Sequence, residues 1–320
     1  MQLSTQYQSL LGKWIAFSLS FIFFSNYSYA EYDLLTTEIL GERTVSVFLH
    51  GETLNITEWD SPKIGLKAAN QYILKNYSFE ETEKEIVIKT KTSFIYDSPK
   101  VPITLFVPRN CEIYLEAKDG RVTLENIYAN LFLHKKTGDV SLKNVGGSVL
   151  INSSHSNLLA EHVDANVKFE TINGDVNITS GAGSWDLTKV NGDLYVSSDL
   201  KRLVVNSVNG NNTINTNKFD EINVQAVNSL MLVNTAMYKG AKMELSSVDG
   251  EIHVYLDEKT STKIYAETRK TINNQISGNA PVLGDDGMTN RLKARLGKGE
   301  SDLIIKSKHA EIVLSEKDHP

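Results

Sequence analysis

The chain has 320 residues, 33 Lys and Arg against 39 Asp and Glu, and a formal net charge of −6. No basic block stands out, which argues against nucleic acid as a partner. The single cysteine, Cys111, leaves no internal disulfide, so the hydrophobic core must hold the fold.

Lys13 precedes an apolar run, Trp14 to Phe24, and the polar stretch after it ends in Ala30. Ser28-Tyr29-Ala30 places small residues at the −3 and −1 positions of a signal-peptidase site. The run is short for a membrane span. Residues 1–30 therefore read as a signal peptide, with an uncleaved N-terminal anchor as the alternative, and no stable span is expected after cleavage. Cleavage would remove Lys13 and no acid, leaving a charge of −7. The expected destination is the periplasm or the cell surface.

Residues 31–110 read as a β segment that caps the repeat region beginning at Cys111. Val45, Val47 and Leu49 alternate before His50-Gly51-Glu52, and Leu54 and Ile56 alternate after it, a hairpin-like pattern. Ile64, Leu66 and Ala68 alternate again, and Ala68 to Lys75 has room for a short helix. Ile86 to Ile88 and Ile103 to Val107 are further strands.

Residues 111–256 carry the strongest signal. Glycine recurs at Gly120, Gly138, Gly174, Gly192 and Gly210 in steps of 18 or twice 18, and Ser156 fills the skipped slot. A weaker beat lies midway, at Ala129, Gly147, Ala165, Gly183 and Lys201. An apolar pair with period two comes after each beat, as in Val122/Leu124, Val176/Ile178 and Leu194/Val196. A small residue before each strand suits a tight or crowded turn. One such unit cannot bury its apolar face alone, whereas stacked coils can. The expected fold is all-β: a parallel β-solenoid of about 18 residues per coil, with two nine-residue arms forming two sheets. Cys111 reads as a small packed residue near the first coil.

After Gly210 the beat loosens. Ile222/Val224 come one residue late, Leu230 to Val233 is ambiguous by one residue, and Met243/Leu245 and Ile252/Val254 resume the spacing. Residues 257–320 read as irregular coils with a long polar loop over 271–299, closed by strands at Leu303 to Ile305 and Ile312 to Leu314.

These features together resemble the bacterial "putative adhesin" family of β-solenoid domains. The residues that carry the resemblance are Val45–Ile56 around Gly51, Phe106-Val107-Pro108, the repeated Asn-Gly-Asp turns, and the closing segments Gly297–Ile305 and Ala310–Leu314. Ser156 and Ser229 depart from it where glycine is usual, as does the irregular stretch Asn217–Tyr238. The resemblance implies an exported coiled β fold and transfers no catalytic residues.

Four constellations are candidates for chemistry. Asn173, Asn191 and Asn209 precede stacked glycines, with Asp249 later in the same place, and read as an amide ladder. The next column, Asp139, Asn157, Asp175, Asp193 and Asn211, brings Asp175 and Asp193 within one coil rise, roughly 4.8 Å. That is a weak candidate for a cation, set against a solvated row of turns. Outward positions Asp175, Asn177, Asp193 and Tyr195 offer polar contacts. Phe132 and Leu150 fall in one outward column and form an apolar patch, which the N-terminal segment is expected to cover. No cofactor motif is present. The reading that emerges is an exported, non-catalytic scaffold or adhesin-like binding surface for an envelope polymer or surface protein. The alternative is a polysaccharide lyase or hydrolase on the same fold.

Overall fold

The structure is a computed structural model that describes residues 33–38, 44–91, 102–276, 283–284 and 288–316. The signal peptide expected at 1–30 lies outside the described residues.

The coils are stacked as the beat requires. β9 (Val122–Thr137) lies parallel to β10 (Val140–His155), with Val122 opposite Val140 and Leu131 opposite Val149. The next coil divides into β11 (Leu158–Glu161) and β12 (Asp164–Asn173), and the one after it into β13 (Val176–Thr179) and β14 (Ser184–Asn191). β15 (Leu194–Ser197) and β16 (Arg202–Asn209) come next, then β17 (Asn212–Thr216) and β18 (Glu221–Thr235). Val140, Leu158, Val176, Leu194 and Asn212 stack in register, 18 residues apart. The irregular stretch resolves by longer corners: Asn212 pairs with Met231, 19 residues on, and Met231 pairs with Ile252 of β19 (Lys242–Leu256), 21 on. Met231 and Val233 face inward and Leu230 outward, which settles the register that the sequence leaves ambiguous.

The two arms are unequal. In β9, Val122 and Leu124 face inward, and then Ile127, Ala129, Leu131 and Leu133 do. The burial phase switches at Asn126, whose φ is +52°, and Asn144, His162 and Ser180 repeat this at +52° to +55°. A left-handed residue breaks the alternation and swings the chain into the second arm. The second corner therefore begins three residues before the midway beat. The first arm has four strand residues in β11, β13 and β15, and the second has eight in β14 and β16. At the midway positions small residues serve close approach: a Cβ on Gly183 would lie 2.0 Å from the Ala165 carbonyl oxygen of the coil below. Because β9, β10, β18 and β19 run through this bend, all the described strands share one hydrogen-bonded network instead of two separate sheets. The inward residues form one continuous apolar core.

At the N-terminal end are β1 (Asp33–Glu38), β2 (Thr44–Leu49), β3 (Thr53–Glu58), β4 (Lys63–Ala68), helix α1 (Gln71–Leu74), β5 (Tyr77–Glu81), β6 (Glu85–Thr90), β7 (Pro102–Val107) and β8 (Glu112–Ala117). The hairpin-like reading of β2 and β3 is corrected. They are successive arms of one coil, each parallel to strands on both sides: β2 to β6 and β8, β3 to β7 and β9. The alternation of a hairpin strand and of a coil arm is the same, so local pattern does not separate them. Outside this coil, β4 and β5 run antiparallel to β7 and β6, and β1 runs antiparallel to β4.

The C-terminal end repeats the arrangement. After β19 come β20 (Thr262–Thr268), β21 (Ile272–Asn274), β22 (Leu283–Gly284), β23 (Asn290–Arg295), β24 (Ser301–Ser307) and β25 (Glu311–Glu316). β24 enters between β19 and β20, and β25 between β19 and β21. β23 closes the edge of β20 in antiparallel pairing, so the stretch read as a loop over 271–299 includes three strands.

The corner at Gly192 yields a test. Its φ is +121°, and an added Cβ would lie 2.2 Å from the Gly174 carbonyl oxygen, whereas a Cβ on Gly51 would meet nothing within 4 Å. Gly192→Ala should lower unfolding stability by roughly 2 kcal/mol or more, and Gly51→Ala should change it by less than about 0.5 kcal/mol. Val176→Asp, at a position 1% exposed, should destabilise more than either. Urea denaturation of the three variants checks the order.

Candidate binding faces

The glycine corner carries two side-chain ladders. Asn191 donates its amide N–H to Asn173 Oδ1 at 2.7 Å, Asn209 to Asn191 at 2.8 Å, and Asn228 to Asn209 at 3.2 Å. In the next column Asn157 donates to Asp139 Oδ1 at 3.1 Å and accepts the Asp175 backbone N–H at 2.9 Å. Asp175 Oδ1 accepts the Asp193 backbone N–H, and Asp193 Oδ1 the Asn211 backbone N–H, each at 2.8 Å. Each of these carboxylates therefore already binds the backbone of the coil above through a charge-assisted bond. Among the described residues no three His, Cys, Asp or Glu side chains gather to hold a metal ion.

Beneath the corner lie two buried lysines. Lys135 and Lys189 are each 1% exposed. Their amines donate to the carbonyl oxygens of Gly120 and Gly192. Burial pushes both amines down to about 8, opposed by Asp119 and Asp139 for Lys135 and by Asp193 and Asp175 for Lys189. In the N-terminal coil, the buried Glu52 accepts the backbone N–H groups of His50 and Gly51, both at 2.9 Å, and the Thr90 hydroxyl at 2.7 Å. Burial, then the charge and hydrogen bond of Glu52, raise the Tyr77 phenol above its ordinary value. Burial, then Glu112, push the Cys111 thiol up to about 12.

The arms present different outward faces. On the first arm, Asn177 stands opposite Tyr195 in register and both are exposed. On the second arm, Phe132 stacks on Tyr114 with ring centroids 5.2 Å apart and planes 10° apart, and Leu150 is the register partner of Phe132. Phe48, in the neighbouring column opposite Glu116, tilts against Tyr114 with centroids 6.0 Å apart. Ser46 and Val87, in the column of Tyr114, are only 3% and 8% exposed, so the N-terminal end of this face is covered. Phe132 and Leu150 themselves are half-buried. Stacked rings shield each other's faces, so they offer less sticky surface than their number suggests.

Nearer the glycine corner, Val190, Val208, Val227 and Val248 are 37–39% exposed, and Ile172 precedes them at 49%. With Thr188, Asn206, Gln225 and Ser246 the four valines line a groove of about 450 Å³ that crosses four coils.

The family model described as Toastrack DUF4097 matches residues 37–271. The chain belongs to that family. No curated protein matches it. Among solved structures, it is similar to a "putative adhesin" of Parabacteroides distasonis ATCC 8503, at 12% identity, 71% of this chain, 94% of that one, and a TM-score of 0.40. It is also similar to a "putative lipid binding protein" of the same strain, at 11% identity, 90% and 97% coverage and a TM-score of 0.38. A "putative cell adhesion protein" of Clostridium sporogenes ATCC 15579 matches at 14% identity, 90% and 99% coverage and a TM-score of 0.21.

The register of this Toastrack chain unites only some of the residues that the sequence singles out. Asp175, Asn177, Asp193 and Tyr195 come from adjacent coils, at and just beyond the glycine corner, and Asp139 lies further along the same column. Phe132 and Leu150 belong to the other arm. The valine row and the buried lysines escape the sequence reading. Each had a signal: a valine at an outward position before the corner, and a lysine in phase with the inward Trp185 and Leu187. Lys-x-x-Gly-Asp also occurs at both Lys135 and Lys189.

The buried amine and the buried thiol can both be tested. Lys189 has a lowered folded value, so between about 8 and 10.5 the unfolded chain binds the extra proton and stability rises with pH. Relative to Lys189→Met, the parent should gain up to about 3 kcal/mol across that window, as read by denaturation at the two ends. The Cys111 thiol should resist iodoacetamide at neutral pH in the folded chain and react once urea unfolds it, as mass spectrometry would show.

Proposed function

We propose that this chain is an exported, non-catalytic β-solenoid that works at the cell envelope as a scaffold or adhesin-like binding surface. The observation that carries the reading is what the reactive side chains do. Asp175 and Asp193 bind backbone N–H groups of the next coil, Lys135 and Lys189 bind corner carbonyls, and the Cys111 thiol is buried. The aspartates tie each coil to the next, the lysines brace the corner turns, and the thiol is enclosed. The outward faces mix Asn, Thr, Ser, Gln, Tyr and Val with exposed ion pairs such as Lys143–Glu125 and Arg202–Glu221, an array suited to many modest contacts. Catalysis draws instead on a few groups held in a water-poor pocket.

Among the described residues no helix is long and apolar enough to cross a membrane. Export rests on the sequence pattern at residues 1–30, and an envelope polymer or surface protein is the partner this placement calls for.

Cell fractionation with N-terminal mass spectrometry tests the placement: the exported form should begin at Glu31, and a membrane-bound form retaining Met1 would overturn it. Binding to isolated envelope material should fall by about 1 kcal/mol or less for Tyr195→Ala or Asn177→Ala, as at most contacts outside hot spots. Loss of a polysaccharide-cleaving activity in such a variant would replace this reading with the enzymatic one.

A further inference from the structure

We propose that the valine-lined groove on the second arm is the binding site for a neutral, extended glycan chain. The proposal rests on the binding-surface reading above and adds to its first-arm contacts a separate site on the second arm.

The groove is built by the coil repeat. In each of four coils the second arm places two outward residues either side of an inward one: Thr188 and Val190, Asn206 and Val208, Gln225 and Val227, Ser246 and Val248. One wall is therefore a row of hydroxyls and amides, and the other a row of valines. The valines are almost equally exposed, at 37–39%, so the apolar wall is one even strip. Among the described residues the side chains of Thr188, Asn206 and Gln225 have no hydrogen-bond partner, whereas the corner amides of Asn191, Asn209 and Asn228 are bonded to one another. The polar wall thus has donors and acceptors to offer, and the corner ladder does not.

Charge selects the class of occupant. The only ionisable residue lining the groove is Lys189, whose amine points inward to the Gly192 carbonyl. The charged residues stand outside it: Asp186 and Glu244 beside the polar wall, Glu170, paired with Lys168 at 2.7 Å, at one end, and Lys306, Lys308 and Arg269 beyond Ser247 at the other. An anionic polymer finds no exposed cation along the length of the groove. A second copy of the chain would have to associate through a strip four valines long, far less than the roughly 800 Å² per partner of a stable interface. An acyl chain would meet valines on one wall only and leave unpaired amides on the other, which is costly. A sugar ring has an apolar C–H face and an edge of hydroxyls, and so matches both walls. The coil rise, roughly 4.8 Å, is also close to the rise of one hexose in an extended β-linked chain, so each coil would meet about one sugar, with alternate sugars turned over.

Isothermal titration of the purified full chain with cello- and chito-oligosaccharides of increasing length tests this, with oligogalacturonides and palmitate as the anionic and acyl arms. Affinity for the neutral series should rise with length up to about the four coils of the groove. Val208→Lys, an exposed change that should leave the melting temperature unaltered, should weaken binding roughly tenfold or more. Asn206→Ala with Gln225→Ala should also weaken it, and Tyr195→Ala on the other arm should not. Absence of binding by any neutral oligosaccharide, preferential binding of the acidic series or of palmitate, or indifference to Val208→Lys would each overturn the assignment. Envelope binding that survives Val208→Lys would remove the groove and leave the scaffold reading standing. Turnover of an oligosaccharide would remove the scaffold reading itself.

Discussion

The parallel backbone pairing between residues one coil apart is the interaction on which everything else in this structure depends. It sets adjacent coils roughly 4.8 Å apart. At that spacing a Cβ at the Gly192 corner would sit 2.2 Å from the carbonyl oxygen below. The corner therefore needs glycine both for its positive φ and for its clearance. Pairing also brings like residues together in columns. The Asn and Asp ladders arise from that stacking, because an amide or carboxylate one coil away is always within reach of its counterpart or of the next backbone N–H.

Such pairing creates a difficulty at the ends, where a coil has a neighbour on one side only and its open edge invites association. Here both ends meet it the same way. The coil made of β2 and β3 and the coil made of β24 and β25 are each inserted one place inside the stack, with pairing on both sides. The outermost positions go to coils whose edges are joined by antiparallel strands, β4 and β5 at one end and β23 at the other. The first and last described coils are thereby tied down, although terminal segments ordinarily fray.

The same logic governs the polar groups. A lysine buried beneath a corner carries a desolvation cost, eased by a carbonyl and two nearby aspartates. Glu52 is similarly enclosed by donors in the N-terminal coil. Along the groove of the second arm, Thr188, Asn206 and Gln225 are left free to meet a partner and repeat from coil to coil.

The 18-residue glycine beat and the period-two apolar pairs were enough to determine a parallel solenoid, its inward residues such as Val176 and Leu194, and the stacking of Asn173 on Asn191 and Asn209. These are local or fixed-period relations, written directly into residue order. The tertiary structure alone decided that the second corner begins at Asn126 and its equivalents: Asn and His visit positive φ more readily than most residues, but Asn also occurs at many positions without it, and Ser180 has no such preference. It alone decided that β2 and β3 form one coil and that β24 and β25 enter beside β19, because strand alternation carries no information about which distant strand will be the partner. The valine groove belongs to the same class. Each valine is ordinary in its own strand, and only register between coils 18 to 21 residues apart joins them into a surface.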